Sequence, residues 1–538
     1  MEVREVASDA TSTAVMPVPL ARQQRRSDWV LATVDRHRHV LFLALFGMYL
    51  LGFNGQWRVE RDSALYLSVA RNVSQGLGYT YREIPNNLIY PGLPTLFAVV
   101  FILLHTQSVV PLLVLMLLMG WVALGLTYRL FLLHSGRPTA VMVTLGLGMT
   151  RLFYRYSFEL LSDMPFLVGV LAFLVGYESV FFARRRDPSH EPKWYDWVFL
   201  IGGLAMAMSM RPVMLLLLGA IAVAVMWSAL AGELSRRWAV VTPLVIVVAA
   251  ALFVTFVRHH QGSASVGGYE DYLLDVKFAK PMTLLRQVFK ENIPGLLESA
   301  AVKALFGAPL FVGMNTLLSL VTIGLSFWLL CQRKLWGVWA IATVLMLCLF
   351  KPLDRYFLPI VPLLVFAWWE VLVRLNHRLS HRWADKLFLA LLILGGTTNL
   401  LRLGQMIVFE QRRVPFLEHY RDGCYASMPR VGKLLEQQMG PRDWVLVEPK
   451  CARILTCVSG RYAIEKGDNV VLGSKQPAFA LEGAFEESRP AAGEAVHEST
   501  LETQLRRRNR RLGPQVGEAI QGPADHQPWV LRRVEQLN

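Results

Sequence analysis

Apolar runs alternate with short polar connections over residues 40–410. About twenty apolar residues cross the hydrocarbon of a bilayer as a helix. The runs at roughly 40–56, 109–133, 138–157, 164–183, 196–210, 212–231, 238–257, 304–330, 335–350, 356–373 and 387–408 therefore predict about eleven spans. Between the first two runs, the stretch from Trp57 to Pro94 breaks this pattern. It opens on Arg58, Glu60, Arg61 and Asp62, after which Leu65, Tyr66, Val69, Ala70, Val73 and Leu77 recur at helical spacing. That spacing predicts a short helix lying along the membrane surface. Gly76 and Gly78 end it, Tyr79 and Tyr81 are interfacial aromatics, and Pro91-Gly92-Leu93-Pro94 starts a further run to Leu104 that is too short to be an ordinary crossing.

Two later segments also depart from the pattern. Residues 258–303 are rich in Gly, Ser and charge and read as a second large loop. After the last run, Pro429–Met439 predicts a helix, Trp444–Val447 a strand and Ala452–Val458 another ordered piece, which together make a small α/β unit over 411–473. Residues 474–538 are polar and rich in Glu, Arg, Gly and Pro, so the expectation there is a largely disordered tail with one further strand at Trp529–Val534.

Composition agrees with the runs. A chain of 538 residues with 54% hydrophobic residues and a mean hydropathy of +0.38 is too apolar for a soluble protein. The expected fold class is an α-helical polytopic membrane protein, with the lipid bilayer as a partner. The net charge of +15 does not point to nucleic acid, because Lys and Arg fall in short clusters between apolar runs, as the positive-inside rule expects. Those clusters place the tail 1–39 in the cytoplasm, provided the 93–104 run stays on the outer side. The 57–108 and 258–303 segments and the C-terminus are then outside, which implies a multi-pass protein of the cell (inner) membrane. Cys424, Cys451 and Cys457 lie in the outer unit, where an oxidising compartment permits a disulfide.

Ionisable residues at span ends then gather on one side. Arg151, Arg155, Glu159 and Asp163 end the third span and the turn after it, Arg211 lies between the fifth and sixth, and Lys351, Arg355 and Tyr356 lie at another outer turn. With Arg58, Arg61, Asp62 and Tyr66 they converge on one outer site of several arginines and at least two carboxylates. Plainer readings exist: Asp62 and Asp163 as helix caps, Arg151, Arg155 and Glu159 as a structural ion-pair stripe, and Arg211 and Arg355 as snorkelling anchors. Arginine presents a planar fork to phosphate oxygens, and a carboxylate near a hydroxyl can act as general base. The combination suits transfer of a group from a lipid phosphate to a hydroxyl or amine. No cofactor is called for. The His259-His260 pair has no further ligand at metal spacing, so divalent-metal dependence stays open.

Arg61-Asp62, Tyr66, Ala70, Gly76-Leu77-Gly78-Tyr79 and Pro91-Gly92-Leu93-Pro94 resemble the first outer loop of GT-C superfamily membrane glycosyltransferases, in particular the bacterial relatives of dolichyl-phosphate-mannose protein mannosyltransferases and of aminoarabinose transferase. Ser162-Asp163-Met164-Pro165, Arg211-Pro212 and Arg355-Tyr356-Phe357-Leu358-Pro359 are similar to later family positions. The resemblance implies a polyprenyl-phosphate-linked sugar donor, an extracytoplasmic acceptor (lipid, polysaccharide or protein) and inversion at the sugar. It implies that Asp62 activates the acceptor, that Asp163 is the second acid, and that Arg211 and Arg355 lie near the lipid phosphate. Ile89-Tyr90 stand where some relatives place a lysine before the paired prolines. A transporter, a flippase or a non-catalytic assembly component is the competing reading, although charges at one face and the absence of a repeat fit a transporter poorly.

Overall fold

The computed structural model describes residues 26–58, 60–81, 84–86, 89–183, 191–234, 281–306, 312–350, 352–379, 382–411, 423–440, 443–447, 452–460, 462–465, 479–482, 510–515 and 530–536, with scattered positions between 237 and 248. Lys351, the His259-His260 pair, Cys451, the glycine-rich part of the expected second loop and most of the 238–257 run lie outside them.

The chain is mostly helical. α1 (Arg26–Arg36) and α2 (Arg38–Gly52) lead to α3 (Arg61–Ser74), a two-stranded ribbon β1 (Thr80–Tyr81) and β2 (Ile84–Pro85), and α4 (Gly92–Leu103). α5 (Val110–Ser135), α6 (Arg137–Gly148), α7 (Arg151–Tyr156), α8 (Asp163–Phe181), α9 (Trp194–Met210) and α10 (Met214–Leu230) follow. Among the described residues, five helical stretches are long and apolar enough to cross a membrane: Val110–Ser135, Asp163–Phe181, Gly313–Gln332, Asp354–Asn376 and Asp385–Phe409. α2, α4, α10 and Lys334–Leu349 are shorter apolar helices. Many large side chains on these helices, including Leu103, Leu118, Leu230 and Ile393, are exposed in the isolated chain, as lipid-facing residues should be.

Three expectations are corrected. The single span expected at 138–157 is broken: α6 ends at Gly148 and Thr150 starts α7, its extended backbone and hydroxyl accepting from the Phe153 amide in an N-cap. The second expected loop is helical from α11 (Pro281–Gln287), through π-helical turns at Val288–Asn292 and Leu296–Ala300, into α12 (Ala301–Phe306). Pro294, which cannot donate to a regular helix ladder, sits between the two wide turns. Val288, Leu296, Ala300 and Ala301 face the core, and the Asn292 amide donates to the carbonyls of Cys348 and Phe350. α13 (Val312–Gln332), α14 (Lys334–Leu349), a 3-10 turn Asp354–Ile360, α15 (Val361–Leu379) and α16 (Arg382–Gln411) complete the bundle.

The third correction concerns the tail. β3 (Trp444–Val447) and β4 (Tyr462–Glu465) pair in parallel, and β3 also pairs in parallel with β5 (Phe479–Glu482). β5 then pairs antiparallel with β7 (Val530–Gln536), which pairs antiparallel with β6 (Arg510–Gln515). The five-stranded sheet thus runs in the order β4-β3-β5-β7-β6; β7 covers the strand expected at Trp529–Val534, whereas β5 and β6 come from residues expected to be disordered. A short arginine-rich strand such as β6 carries little apolar signal, and the sheet partners of β5 and β6 are distant in sequence. α17 (Gly423–Gln438) and α18 (Ala452–Ser459) belong to the same unit, and Cys457 in α18 is a buried free thiol.

α8 is the central helix, buried along nearly its whole length. Glycines let α9 lie against its backbone. A Cβ on Gly203 would come within 2.4 Å of the Phe173 amide nitrogen, one on Gly169 within 2.7 Å of the Ala207 nitrogen, and one on Gly176 within 2.4 Å of the Leu200 nitrogen. Small residues at such a seam bring helix axes close. Because Asp163 starts α8 and Arg211 caps the end of α9, this seam sets how near the two side chains stand.

Candidate functional site

α3 begins at Arg61 because Glu60 is extended and Ser63 completes its N-terminus: the Glu60 amide donates to Ser63 Oγ at 3.0 Å, and the Ser63 hydroxyl donates to the Glu60 carbonyl at 2.8 Å. Trp57 Nε1 also donates to Ser63 Oγ, at 3.1 Å. Asp62 is therefore not used as a cap, and its carboxylate turns to two arginines. Its Oδ2 lies 3.4 Å from Arg355 Nη2 and its Oδ1 lies 3.5 Å from Arg453 Nη1. Both distances are long for charge-assisted bonds. The Asp62 side chain is 39% exposed. Gly76 and Gly78, both with φ between +75° and +78°, turn the chain after α3 and leave Leu77 outside the helix and exposed.

Asp163 is the opposite case. Its side chain is 1% exposed and one oxygen is held by Arg211 Nη2 in a short ion pair, while Arg211 Nε donates to Ser162 Oγ at 2.8 Å. The other oxygen, Oδ1, is buried with no hydrogen-bond partner among the described residues. Tyr66 OH lies 3.3 Å from Ser162 Oγ, which links α3 to this pair. The Tyr356 ring joins the two acid sites, with the Arg211 guanidinium 5.7 Å and the Arg355 guanidinium 5.1 Å from its centroid. Arg355 Nη2 also donates to Tyr356 OH at 3.3 Å. Neither arginine is a bare snorkelling anchor.

A third group adjoins these. Glu159 is buried and receives Arg155 Nε in a short contact and Arg58 Nη1 at 3.2 Å, while Arg155 Nη2 also reaches Glu60 at 3.4 Å. Burial, reinforced by the neighbouring charge of Glu159, pushes the Glu60 carboxyl above its ordinary value despite the pull of Arg155 and Arg58. Arg151 opens α7 and is exposed. Partial burial and then the like charges of Arg155 and Arg58 press its guanidinium down from its ordinary value. Arg61 is half-buried at the start of α3.

The structure thus brings together Asp62, Asp163, Arg58, Tyr66, Arg155, Glu159, Arg211, Arg355 and Tyr356, with Arg151 and Arg61 at the margin and Lys351 outside the described residues. Sequence reasoning missed Arg453, Ser162 and Glu60. Ser162 stands in the Ser-Asp-Met-Pro stretch and Glu60 in the charged opening of the first loop, so both could have been found there. Arg453 carries no local signal. Across the ion pairs named, five arginines face four carboxylates. Among the described residues no group of three His, Cys, Asp or Glu side chains could hold a metal ion.

The bundle has the fold of the GT-C membrane glycosyltransferases. ArnT from Cupriavidus metallidurans bound to undecaprenyl phosphate is similar over 94% of this chain and 98% of its own, with 13% identity and a TM-score of 0.51. AglB, the archaeal oligosaccharyltransferase from Archaeoglobus fulgidus in complex with an inhibitory peptide and a dolichol-phosphate, is similar over 82% of this chain and 69% of its own, with 13% identity and a TM-score of 0.50. The apo form of the Archaeoglobus fulgidus oligosaccharyltransferase gives 12% identity, the same coverage and a TM-score of 0.52. At such identities the likeness is one of fold. No protein-family profile and no curated protein sequence matches the chain.

Proposed function

We propose that this chain is a membrane glycosyltransferase that moves a sugar from a polyprenyl-phosphate-linked donor to a hydroxyl or amine of an acceptor on the outer side. The observation that carries the reading is the contrast between two acids in one arginine-rich site: Asp163 is buried and tightly paired, whereas Asp62 is exposed and only loosely held. A carboxylate with accessible lone pairs can take a proton, and one locked to a guanidinium cannot do so readily. In the reaction the acceptor oxygen or nitrogen attacks the anomeric carbon as its proton passes to Asp62, and the bond from that carbon to the phosphate oxygen breaks with its electron pair leaving on the phosphate. Attack opposite the leaving group inverts the anomeric centre. Arg211 and Arg355, with the neighbouring guanidinium groups of Arg58, Arg151 and Arg155, stabilise the departing polyprenyl phosphate. Asp163 and Ser162 hold Arg211 in place. Two of the fold neighbours support this reading, since ArnT is bound to undecaprenyl phosphate and AglB to a dolichol-phosphate.

On the same proposal the charge pattern orients the chain, with the N-terminus in the cytoplasm and α3 with the C-terminal α/β unit outside the inner membrane. That unit runs on to β7 rather than stopping near residue 473. Introduced cysteines in α17 should then react with an impermeant reagent added to intact cells, while one near Arg378 should not.

The decisive experiment offers purified protein a panel of radiolabelled polyprenyl-phosphate sugars with membrane extract. Transfer is expected from at least one donor, and Asp62→Asn should lower turnover by roughly a hundredfold or more with folded yield unchanged. Absence of transfer from every donor, or full activity in Asp62→Asn, sinks the proposal.

A further inference from the structure

The α/β unit is joined to α3 at two places. Near the end of α3, Arg71 Nη1 donates to the Cys457 carbonyl at 2.7 Å, satisfying a carbonyl in the last turn of α18 that has no partner within that helix. At the start of α3, Arg453 in the first turn of α18 reaches Asp62. Between them Ile454, Leu455 and Cys457 are buried, and Gly432 of α17 lies close to Val458, where an added Cβ would come within 2.8 Å of the valine side chain. α18 is thus clamped between α17 and α3, and Arg453 is presented from a packed helix rather than from a loop. Its guanidinium takes the Asp62 oxygen that Arg355 leaves free, so a group 391 residues away in sequence fixes one side of the carboxylate.

We infer that Arg453 is a positioning residue for Asp62 and that docking of the C-terminal α/β unit on α3 completes the reactive site. This rests on the proposed role of Asp62 as the base. With Arg355 alone, the carboxylate is free to rotate about its own bonds. A second guanidinium on the opposite oxygen restricts that rotation and holds one lone pair toward the space where an acceptor enters. The contact is long enough to be given up to the acceptor during the reaction. Misplacing a reacting group by a fraction of its bond length is costly in rate while leaving distant binding contacts intact.

The test compares full-length Arg453→Gln, Arg453→Lys and Arg430→Gln, the last an exposed arginine elsewhere on the same unit. In the transfer assay Arg453→Gln should lower kcat about tenfold with the donor KM changed by less than about twofold, Arg453→Lys should recover most of that loss, and Arg430→Gln should match the parent. Unchanged kcat in Arg453→Gln, or a loss that Lys does not repair and Arg430→Gln shares, overturns the inference while leaving the transferase reading standing. If the parent itself transfers no sugar, the transferase reading falls, and positioning is then judged by deuterium exchange of the amides of residues 61–66. Faster exchange in Arg453→Gln but not in Arg430→Gln supports the clamp, and equal exchange in all variants removes it.

Discussion

The two ends of the central helix α8 handle charge differently. At the Glu178 end, Arg333 Nε stands 2.9 and 3.0 Å from the two carboxylate oxygens with its guanidinium 4.9 Å from the Phe182 ring centroid, and Lys334 pairs with Glu233. Among the described residues, each of these two cations meets one carboxylate at close range. At the Asp163 end, arginines outnumber carboxylates, Glu159 is shared by two of them, and Asp62 is held at arm's length by two more. A matched buried pair is a device for folding. An unmatched, partly open cluster keeps positive potential for a ligand that has yet to arrive.

This contrast can be broken most directly at the matched end. Arg333→Leu removes the two-point guanidinium contact from buried Glu178 and should cost about 3–5 kcal/mol of stability, whereas adding Glu178→Leu should restore most of it, because apolar side chains can replace a buried pair. Thermal unfolding in detergent reads both. The corresponding double change at Asp163 and Arg211 is expected to restore folded protein and not activity; recovered activity would show that the two ends do the same work. The seam between the ends comes next. Gly203→Val forces a side chain against the Phe173 backbone and should destabilise by about 1–3 kcal/mol, and in protein that still folds turnover should drop, since Asp163 and Arg211 move apart. Normal turnover in that fraction would detach the seam from the site.

Smaller effects sharpen the open end. Arg355→Lys keeps the charge and loses the fork, so donor affinity should weaken about tenfold, equivalent to roughly 1.4 kcal/mol, measured by donor titration; an unchanged affinity places the phosphate elsewhere. Glu60→Gln gives the smallest signal. Because burial raises the Glu60 carboxyl in the folded chain, that group contributes stability which is full below its unfolded value and is lost as pH rises through the higher folded one. The glutamine variant lacks that loss, so its melting temperature relative to the parent should climb from acidic to neutral pH. A constant gap, or one that shrinks, contradicts the assignment.

Much of the helical frame was legible because long apolar runs have few alternatives in a membrane. The grouping of Asp62, Asp163, Arg211 and Arg355 was also legible, since charge at the ends of apolar runs is costly and its positions all fell on one side of the predicted topology. What escaped has physical reasons too. The π-turns around Pro294 look like loop in a pattern built on 3.6 residues per turn, and the break at Thr150 turns on a single cap. Arg453 sits in an eight-residue helix, and only the assembled sheet brings it to α3. The plainer reading of Asp62 as a cap could be set aside only once Ser63 was seen filling that role.

α8 carries an acid in its first turn and another in its last. The aligned peptide dipoles of a helix put partial positive charge at its start and partial negative charge at its end, worth about 0.3–1 kcal/mol to a nearby charge and up to ~2 kcal/mol where it is partly buried. Asp163 is therefore stabilised as an anion by its own helix, whereas Glu178 is opposed by it and depends on Arg333. It follows that the helix and Arg211 act on Asp163 in the same direction, whereas at Glu178 the helix and Arg333 act against each other, so equal burial asks more of the arginine at that end.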